Sequence, residues 1–424
     1  MEGVYTMQNS IHINPFSKDF NFMVIGQIVS ILGSTLLRFA LSLYVLDITG
    51  RADIYAILYA ISSVPLLLAP LGGAIADRFN RRNLMVIYDM ISSVIIFGFL
   101  LLLSVSNTSV ILIGVVMILL AIISAMYTPV VMASIPLLVT EKKLEQANGI
   151  VNGVQALSSV AAPVLGGVLY GVVGLKVLVV MSCIAFFLSA ILEMFIKIPF
   201  VKREQNEHIV PTIIKDMRAG FTYVVREPYI FKAMILAALL NLILTPLFVV
   251  GGPIILRVTM QSSDTLYGIG MGLIDFATIL GALSIGFFAK KMKMNTIYKW
   301  LLIIALLIIP MAVSVMPLIL KIGYYPSFIL FILCAILIAM AMTIISIFVI
   351  TVVQKKTPNE NLGKVMAIIT AVAQCMAPIG QVIYGFMFET FSIKVYLPIL
   401  FISFIMIVIA IVTKRILRNE GETA

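Results

Sequence analysis

Charged residues are scarce in this sequence. Asp, Glu, Lys and Arg make up only 11% of its 424 residues, whereas soluble globular chains carry about 25%. The two histidines lie in polar segments, and the three cysteines lie in apolar segments without CxxC spacing. Metal sites and disulfide frameworks need clusters of these residues. The sequence therefore indicates no metal site, no disulfide framework and no catalytic residues, and we do not expect an enzyme.

Apolar residues dominate instead. They make up 62% of the chain, and the mean hydropathy is +1.14. Apolar runs of roughly 20 residues, the length that a helix needs to cross a bilayer, recur along the chain. This pattern predicts an all-α membrane protein with twelve transmembrane helices. The predicted spans cover residues 20–46, 54–76, 83–105, 110–139, 148–174, 175–199, 230–256, 265–289, 297–319, 326–354, 361–390 and 393–417.

The basic residues indicate how these spans are oriented. With the N-terminus inside, 23 of the 29 Lys and Arg residues lie on the inner side, five lie on the outer side and Arg38 lies within a span. Cytoplasmic loops carry such an excess of positive charge. We therefore expect both termini in the cytoplasm of a protein of the cell membrane. Because this topology accounts for the net charge of +10, we expect no nucleic-acid partner.

The longest polar stretch divides the predicted spans into six and six. We predict cytoplasmic tails at 1–19 and 418–424, six-helix halves at 20–199 and 230–417, and a linker at 200–229. Residues 141–171 resemble residues 355–385 at an offset of 214, which indicates duplicated, pseudo-symmetric halves. Within the linker, helical spacing of five apolar residues predicts an amphipathic helix on the inner membrane surface. These residues are Ile214, Met217, Phe221, Val224 and Val225.

The loop between the second and third predicted spans reads GGAIADRFNRRNL. Its glycine permits close helix approach, and its carboxylate and arginines can exchange partners as the halves move. Asn80 lies in the turn, where we expect a left-handed backbone. An anchor for the inner membrane surface is the simpler alternative, but it does not require the acidic residue. The predicted gating residues are Gly73, Asp77, Arg78, Arg81 and Arg82.

These five residues resemble the cytoplasmic signature of the major facilitator superfamily, G-x-x-x-D-R-x-G-R-R, with Asn80 replacing its internal glycine. The resemblance implies that Asp77 and Arg81 latch the cytoplasmic side of the outward-facing state. In the corresponding loop of the second half, FFAKKMKMN, Ala289 stands where Asp77 aligns. We therefore expect the second latch to be weakened or absent.

The predicted fifth span resembles the antiporter signature of the same superfamily, G-x8-G-x3-G-P-x2-G-G. Ser158 and Ala162 replace two of its glycines. Within the superfamily this signature points to exporters, although a simple packing face is an alternative. Two further stretches, SIPLLVTEKKLEQANGIVNG and DMRAGFTYVVREPYIF, resemble the macrolide-efflux and enterobactin-export branch of the drug:proton antiporters. The matching signature residues are Gly149, Pro163, Gly166 and Gly167.

Charged side chains within the predicted spans are functional candidates, because burying them in a bilayer is costly. Arg38 continues a polar face formed by Gln27, Ser30 and Ser34, which we expect to line a cavity. Asp275, near the middle of the eighth span, is the predicted proton-coupling residue, and a static ion pair is the alternative. The superfamily's arrangement implies that both Arg38 and Asp275 meet the aqueous pathway, and Arg38 is therefore a candidate for proton coupling as well.

Two more acidic residues lie within predicted spans that the resemblance places at the periphery. Asp89, close to the Asp77 and Arg81 cluster, is a further candidate for proton coupling. Glu193 is four residues before Lys197, and we predict a structural ion pair between them.

The leading hypothesis is a proton-coupled exporter of a bulky amphipathic molecule, working by alternating access, without a cofactor and as a monomer. A cavity with few polar groups suits such a substrate, and no Gly-rich phosphate loop is present. An importer or facilitator on the same fold is the first alternative, and a membrane enzyme or receptor is the second. The predicted cavity residues are Gln27, Ser34, Tyr127, Thr128, Asn241, Thr245, Thr343 and Ser346.

Overall fold

A computed structural model describes residues 17–105, 109–140, 143–198, 209–289 and 292–417, and these are almost entirely helical. Residues 1–16 of the predicted N-terminal tail, the predicted C-terminal tail, residues 199–208 around the start of the predicted linker, and the side chains of Asp77, Pro163 and Ala289 lie outside the described residues. The N-terminal half contains α1 (Lys18–Thr49), α2 (Ala52–Ser63), α3 (Ala69–Arg78), α4 (Arg81–Val105), α5 (Val110–Leu138) and α6 (Leu144–Met194). A 3₁₀ turn, Val64–Leu68, joins α2 to α3.

Helix α7 (Ile209–Arg226) connects the two halves. The C-terminal half contains α8 (Pro228–Pro246), α9 (Asp264–Ala289), α10 (Ile297–Ser314), α11 (Pro317–Ile322), α12 (Tyr324–Lys356), α13 (Asn359–Thr390) and α14 (Tyr396–Ile416). Two wide π-helical turns, Leu247–Gly251 and Ile254–Thr259, extend α8. Single π turns are frequent at functional sites.

The prediction of an all-α membrane protein is confirmed. Among the described residues, ten helical segments are long and apolar enough to cross a bilayer, and Ala52–Leu68 is a shorter apolar helix. Some predicted boundaries were wrong. The span predicted at 175–199 ends with α6 at Met194, and the span predicted at 297–319 ends with α10 at Ser314.

Helix α6 holds two arms that reverse direction at one residue. Gly174, with φ of 74°, is the non-helical position in it, and glycine adopts this backbone without steric cost. The second arm runs antiparallel to α1, because Gly26 lies against Glu193 and Gly33 lies against Ala185. The prediction of two spans meeting at 174/175 agrees with this break.

The helices run between two faces of the molecule. At one end, the Ser17 hydroxyl donates to the Leu138 carbonyl, and the Lys197 amide donates to Asp19. Because α14 also ends here at Ile416, we call this end the termini face and the opposite end the far face. The orientation of each cavity is defined relative to these two faces.

The hydrophobic core joins the two halves at the far face. Five residues from the far ends of α1 and α2 belong to the same buried cluster as the core of the C-terminal half. Near the termini face, the N-terminal half has its own cluster around Phe20, Met85 and Val130. The halves are therefore packed together at the far face. The five joining residues are Leu43, Leu46, Ala52, Tyr55 and Ala56.

The predicted linker helix is present as α7. Gly220 packs against Lys364 of α13, and Val224 is buried. Met217, Phe221 and Val225 remain exposed on the opposite surface. The helix thus docks on the C-terminal half and presents an apolar strip outward.

Candidate functional site

A cavity of about 410 Å³ lies between the halves. Its lining on α8 runs from Ala233, near the termini face, to Thr245, and its lining on α12 runs from Val353 to Met342. The N-terminal half contributes Ser63 and Leu66. The cavity therefore extends from the termini-face end of the helices to their middle.

The lining of this cavity is mainly apolar. Its amide and hydroxyl groups come from seven residues spread over four structural elements, and the remaining lining residues are aliphatic, Met or Pro. Gln381 is buried there, and its carbonyl oxygen has no hydrogen-bond partner among the described residues. Ligand cavities typically combine an apolar wall with a few such polar groups. The polar lining residues are Ser63, Asn241, Thr245, Ser346, Thr370, Gln374 and Gln381.

The structure places seven of the eight predicted cavity residues at cavities. Asn241, Thr245 and Ser346 line the large cavity, and Gln27, Ser34, Tyr127 and Thr128 line a smaller one. Thr343 lines none of the three cavities. Its hydroxyl donates to the Ala339 carbonyl, and its Cβ faces Gly281 of α9.

Two smaller cavities continue from the large one into the N-terminal half. The first, about 120 Å³, shares Leu66 with the large cavity and is lined by Arg38. The second, about 50 Å³, shares Ser34, Leu120 and Ser124 with the first. Because neighbouring cavities share lining residues, the three cavities lie next to one another in a row.

Arg38 lies at a cavity, as predicted from its polar face. Its guanidinium lies 4.4 Å from the centre of the Tyr59 ring and donates to the Ser63 hydroxyl at 3.4 Å. Its Nε is buried and has no hydrogen-bond partner among the described residues. An arginine stacked on an aromatic face is held by cation–π attraction while its donors stay available. Arg38 thus places positive charge between the large cavity and the smallest one.

One buried acidic residue, Asp89, lines the smallest cavity, and a second, Glu193, contacts the lining residue Tyr127. Asp89 accepts a hydrogen bond from the Ser30 hydroxyl at 3.0 Å, and Glu193 accepts one from the Tyr127 hydroxyl at 2.6 Å. The predicted pair between Glu193 and Lys197 was wrong. Because α6 ends at Met194, Lys197 lies beyond the helix and cannot take the i, i+4 position.

A charged network closes the far face. Arg257, in the second π turn, pairs with Asp47 of α1 at 3.2 Å and with Asp264 at the start of α9. The Tyr170 hydroxyl donates to Asp47 at 3.0 Å, and Arg257 also donates to the Ser262 carbonyl at 2.7 Å. These contacts link the two halves. We call Asp47, Tyr170, Arg257 and Asp264 the far-face latch.

A second group of contacts joins α2 to the C-terminal half at the same face. Glu389 of α13 accepts a hydrogen bond from the Ala52 amide at 2.9 Å, and the Tyr55 hydroxyl donates to the Val249 carbonyl at 3.0 Å. A Cβ on Gly385 would lie 2.4 Å from the Ala56 side chain. Backbone and side chains of the two halves are therefore in direct contact here, and the far face is closed.

Two residues of the antiporter-like motif lie at helix contacts, Gly167 between α6 and α9 and Gly166 between α6 and α1. A Cβ on Gly167 would lie 2.5 Å from the Asp264 carbonyl oxygen and 2.8 Å from Gly268 Cα. A Cβ on Gly166 would lie 2.7 Å from the Phe39 ring. At Gly149, in contrast, a Cβ would meet nothing within 4 Å. The side chain of Pro163 lies outside the described residues.

Asp275 lies on α9 three residues after Gly272, which packs against Val160 and Val164 of α6. It lines none of the three cavities. Among the described residues, no ion pair involves Asp275, so the alternative of a static ion pair gains no support. Its predicted role in proton coupling stays a prediction.

The residues predicted to act in gating lie at the termini face. The Arg81 guanidinium donates to the carbonyls of Ala76, at 3.0 Å, and Ala133, at 2.7 Å. Arg82 donates to the Met194 carbonyl. Arg78 has an interaction within the described part of the chain, and the Asp77 side chain lies outside it. The two arginines thus fasten the loop to the ends of α5 and α6.

Two expectations for this loop were wrong. A Cβ on Gly73 would meet nothing within 4 Å, whereas one on Gly72 would lie 2.9 Å from Met126 Cα. Gly72 is therefore the residue that permits close approach of α3 and α5. Asn80 is not among the described residues with positive φ. Its side-chain oxygen instead accepts a 3.4 Å hydrogen bond from the Asn83 amide, as an N-terminal cap does.

These neighbouring glycines give a matched pair for a stability test. We expect Gly72→Ala to lower the melting temperature of the detergent-solubilised protein, because the new methyl group clashes with backbone of α5. Overpacking of this kind costs about 1–3 kcal/mol. Gly73→Ala should leave the melting temperature unchanged. Equal melting temperatures of the two variants would contradict the assignment of the close contact to Gly72.

Sequence reasoning missed the far-face latch. Asp47, Tyr170 and Asp264 were not singled out, and Arg257 was counted only among the few cations of the outer side. Cations are scarce on the outer side, and this scarcity was a signal that could have identified Arg257. An isolated arginine between apolar spans needs acidic partners nearby. Four acidic residues lie at the outer ends of predicted spans, and the two partners of Arg257 are among them: Asp47, Asp53, Asp264 and Glu389.

Comparison with known proteins places this geometry in a family. Residues 23–380 match the profile of the Major Facilitator Superfamily. Macrolide efflux protein A of Streptococcus pyogenes is 23% identical over 370 residues, which is 84% of this chain and 86% of the relative. Macrolide efflux protein A of Enterococcus faecalis is 23% identical over 322 residues, covering 73% of this chain and 93% of the relative.

Solved structures show the same fold. A bacterial homologue of the iron transporter ferroportin in its inward-facing state is 18% identical, covers 93% of this chain and 98% of its own, and superposes with a TM-score of 0.69. The outward-facing state of the same homologue is also 18% identical and covers 94% of this chain and 98% of its own. Its TM-score is lower, at 0.56.

The family match covers most of the chain, and the matched relatives and structures are all membrane transporters. With its apolar helices and central cavity, the chain is a multi-pass cell-membrane transporter and not an enzyme. It belongs to the Major Facilitator Superfamily.

Proposed function

We propose that the chain is a proton-coupled exporter of bulky amphipathic molecules that works by alternating access. The large, mainly apolar cavity between the halves carries this proposal, because its few polar groups suit a lipophilic molecule better than a sugar or an ion. The relatives named macrolide efflux protein A support a macrolide as the first substrate to test.

The topology proposed with this function has twelve membrane crossings and cytoplasmic termini. Ten segments are long and apolar enough by themselves. The other two crossings are α2 with α3, and the first arm of α6 before Gly174. With the termini face in the cytoplasm, a cavity that ends below the closed far face corresponds to a state open to the cytoplasm. An exporter loads its substrate in such a state.

Uptake of radiolabelled erythromycin into cells tests the proposal. We expect bacteria that lack their own macrolide exporters to accumulate less erythromycin when they express this chain. A protonophore should abolish the difference, because it collapses the proton gradient. Higher accumulation in expressing cells would overturn export and favour the importer, and protonophore-resistant export would overturn proton coupling.

A cavity-filling substitution shows whether the large cavity carries the substrate. Ser346 lines this cavity, so Ser346→Trp should reduce erythromycin export about tenfold or more by occupying substrate space. Leu283 lies on α9 with 76% of its surface exposed and lines none of the three cavities. Leu283→Trp is therefore the matched control and should export normally. Unchanged export by Ser346→Trp would contradict the assignment of the cavity.

A further inference from the structure

Two carboxyl groups are buried against the same turn of α1. Asp89 of α4 is 1% exposed and Glu193 of α6 is 0% exposed. Asp89 accepts its hydrogen bond from Ser30, and a Cβ on Gly26 would lie 3.3 Å from Glu193 Cγ. Gly26 and Ser30 are four residues apart, or about 6 Å along the helix axis. The two acidic side chains are therefore close neighbours.

Within the described part of the chain, Asp89 and Glu193 have no cationic partner. Among the described ion pairs, none involves Asp89 or Glu193. Arg38 lies two helical turns beyond Ser30, about 12 Å along α1, and stacks on Tyr59. Arg82 at the start of α4 donates to the Met194 carbonyl.

The elements packed around the pair contribute one further titratable group. From α1 come Gln27 and Ser30, from α4 Ser92, and from α6 Ser189, none of which carries charge. From α5 comes Tyr127, whose hydroxyl donates to Glu193. The pair is thus surrounded by polar but uncharged groups.

Each carboxyl group also has an unsatisfied oxygen. Asp89 Oδ2 and Glu193 Oε2 are buried without a hydrogen-bond partner among the described residues, and so is the side-chain oxygen of Gln27. Two ionised carboxylates, buried side by side without a cation, would each pay a large desolvation cost and repel one another. A single proton removes the repulsion and supplies a donor for these acceptors. The arrangement therefore requires a bound proton.

The pair lies near the large cavity. Asp89, Gln27 and Tyr127 line the smallest cavity, which shares lining residues with the cavity at Arg38, and that cavity shares Leu66 with the large one. One small cavity therefore lies between the cavity at Asp89 and the space for substrate.

We propose that Asp89 and Glu193 together form the proton-binding site of the transport cycle, holding one proton in the state open at the termini face and releasing it in another state. This inference rests on the proposed function of proton-coupled export. It assigns the site to the N-terminal half and away from Asp275, which lines none of the three cavities.

Carbodiimide labelling tests proton binding without any substrate. A hydrophobic carbodiimide adds to protonated carboxyl groups, and mass spectrometry locates the adduct. We expect the purified wild-type protein to be labelled on Asp89 or Glu193, with labelling lost as the pH is raised from mildly acidic to mildly alkaline. Absence of an adduct on both residues at acidic pH would overturn the inference. Protection of either residue by sodium chloride but not by choline chloride would also overturn it, because the pair would then be a sodium site.

Transport in proteoliposomes tests coupling. We expect a transmembrane pH gradient to accelerate erythromycin movement by the wild type, and this acceleration to fall to about onefold in Asp89→Asn and in Glu193→Gln, since the pair no longer exchanges a proton. Glu227, an exposed acidic residue at the N-terminal cap of α8, provides the control, and Glu227→Gln should keep the full pH response. If either pair variant keeps it, the inference fails while export stands. If the wild type does not transport erythromycin, the proposed substrate is wrong, and the carbodiimide labelling alone tests the inference. The labelling also decides the question if one of the two variants does not fold.

Discussion

Gly167→Ala should open the far face and strongly reduce transport. The methyl group of alanine would lie 2.5 Å from the Asp264 carbonyl oxygen and 2.8 Å from Gly268 Cα. Both are backbone atoms, so no side-chain rotation relieves the clash, and α6 must separate from α9. A penalty of about 2 kcal/mol, within the range for overpacking, shifts a two-state equilibrium about 30-fold. The population of the state with a closed far face, relative to the open state, therefore falls by this factor.

Spin-label distances across the far face measure this shift. Labels on Thr49→Cys and Val258→Cys, in a background without the three native cysteines, lie on the two halves at this face. We expect the distance distribution to move to longer values in Gly167→Ala. Gly153, on the same arm of α6, has open space at its Cβ position, so Gly153→Ala is the matched control. A distribution unchanged by Gly167→Ala would contradict the role of this contact.

Arg257→Ala, like Gly167→Ala, should open the far face and reduce transport, in this case because a charge is removed. Removing the guanidinium leaves Asp47 and Asp264 as neighbouring acidic groups from opposite halves, without the cation that joined them. Breaking a fully buried pair costs about 3–5 kcal/mol and breaking an exposed pair about 0–1 kcal/mol. Arg257 is partly buried, with 18% of its side chain exposed, so we expect a cost of about 1–3 kcal/mol.

Arg51→Ala is the control for this experiment. Arg51 lies at the same face, but its partner Asp53 is two residues away in the same half, and 55% of its side chain is exposed. We expect Arg257→Ala to lengthen the spin-label distances and to reduce erythromycin export about tenfold, the consequence of about 1.4 kcal/mol, and Arg51→Ala to change neither. Equal behaviour of the two variants would show that the far-face latch contributes no more than surface charge.

The sequence predicted the helices well because apolar length is a local property. The reversal at Gly174 and the polar face leading to Arg38 both follow from residues close together in the chain. Contacts between distant segments were less accessible. Nothing in the sequence fixes the rotation of α12, so Thr343 was expected at a cavity although it faces α9.

Small errors of helix boundary had larger consequences for the site. Extending the sixth span to 199 made Lys197 an apparent helical partner of Glu193, whereas the helix ends at Met194. Its hydrogen-bond partner, Tyr127, comes from another helix, α5. Similarly, Arg257 and Asp47 are separated by 210 residues. Such pairings depend on how the helices pack, which periodicity does not report.

The single-residue reversal at Gly174 connects two regions of the protein mechanically. The arm before it carries Gly167 against α9, and the arm after it carries Glu193 against α1. No loop separates the arms, so their far-face ends meet at one glycine. An opening of the far face that moves the first arm must therefore be absorbed either by rotation about the Gly174 backbone or by movement of the helix that holds Glu193.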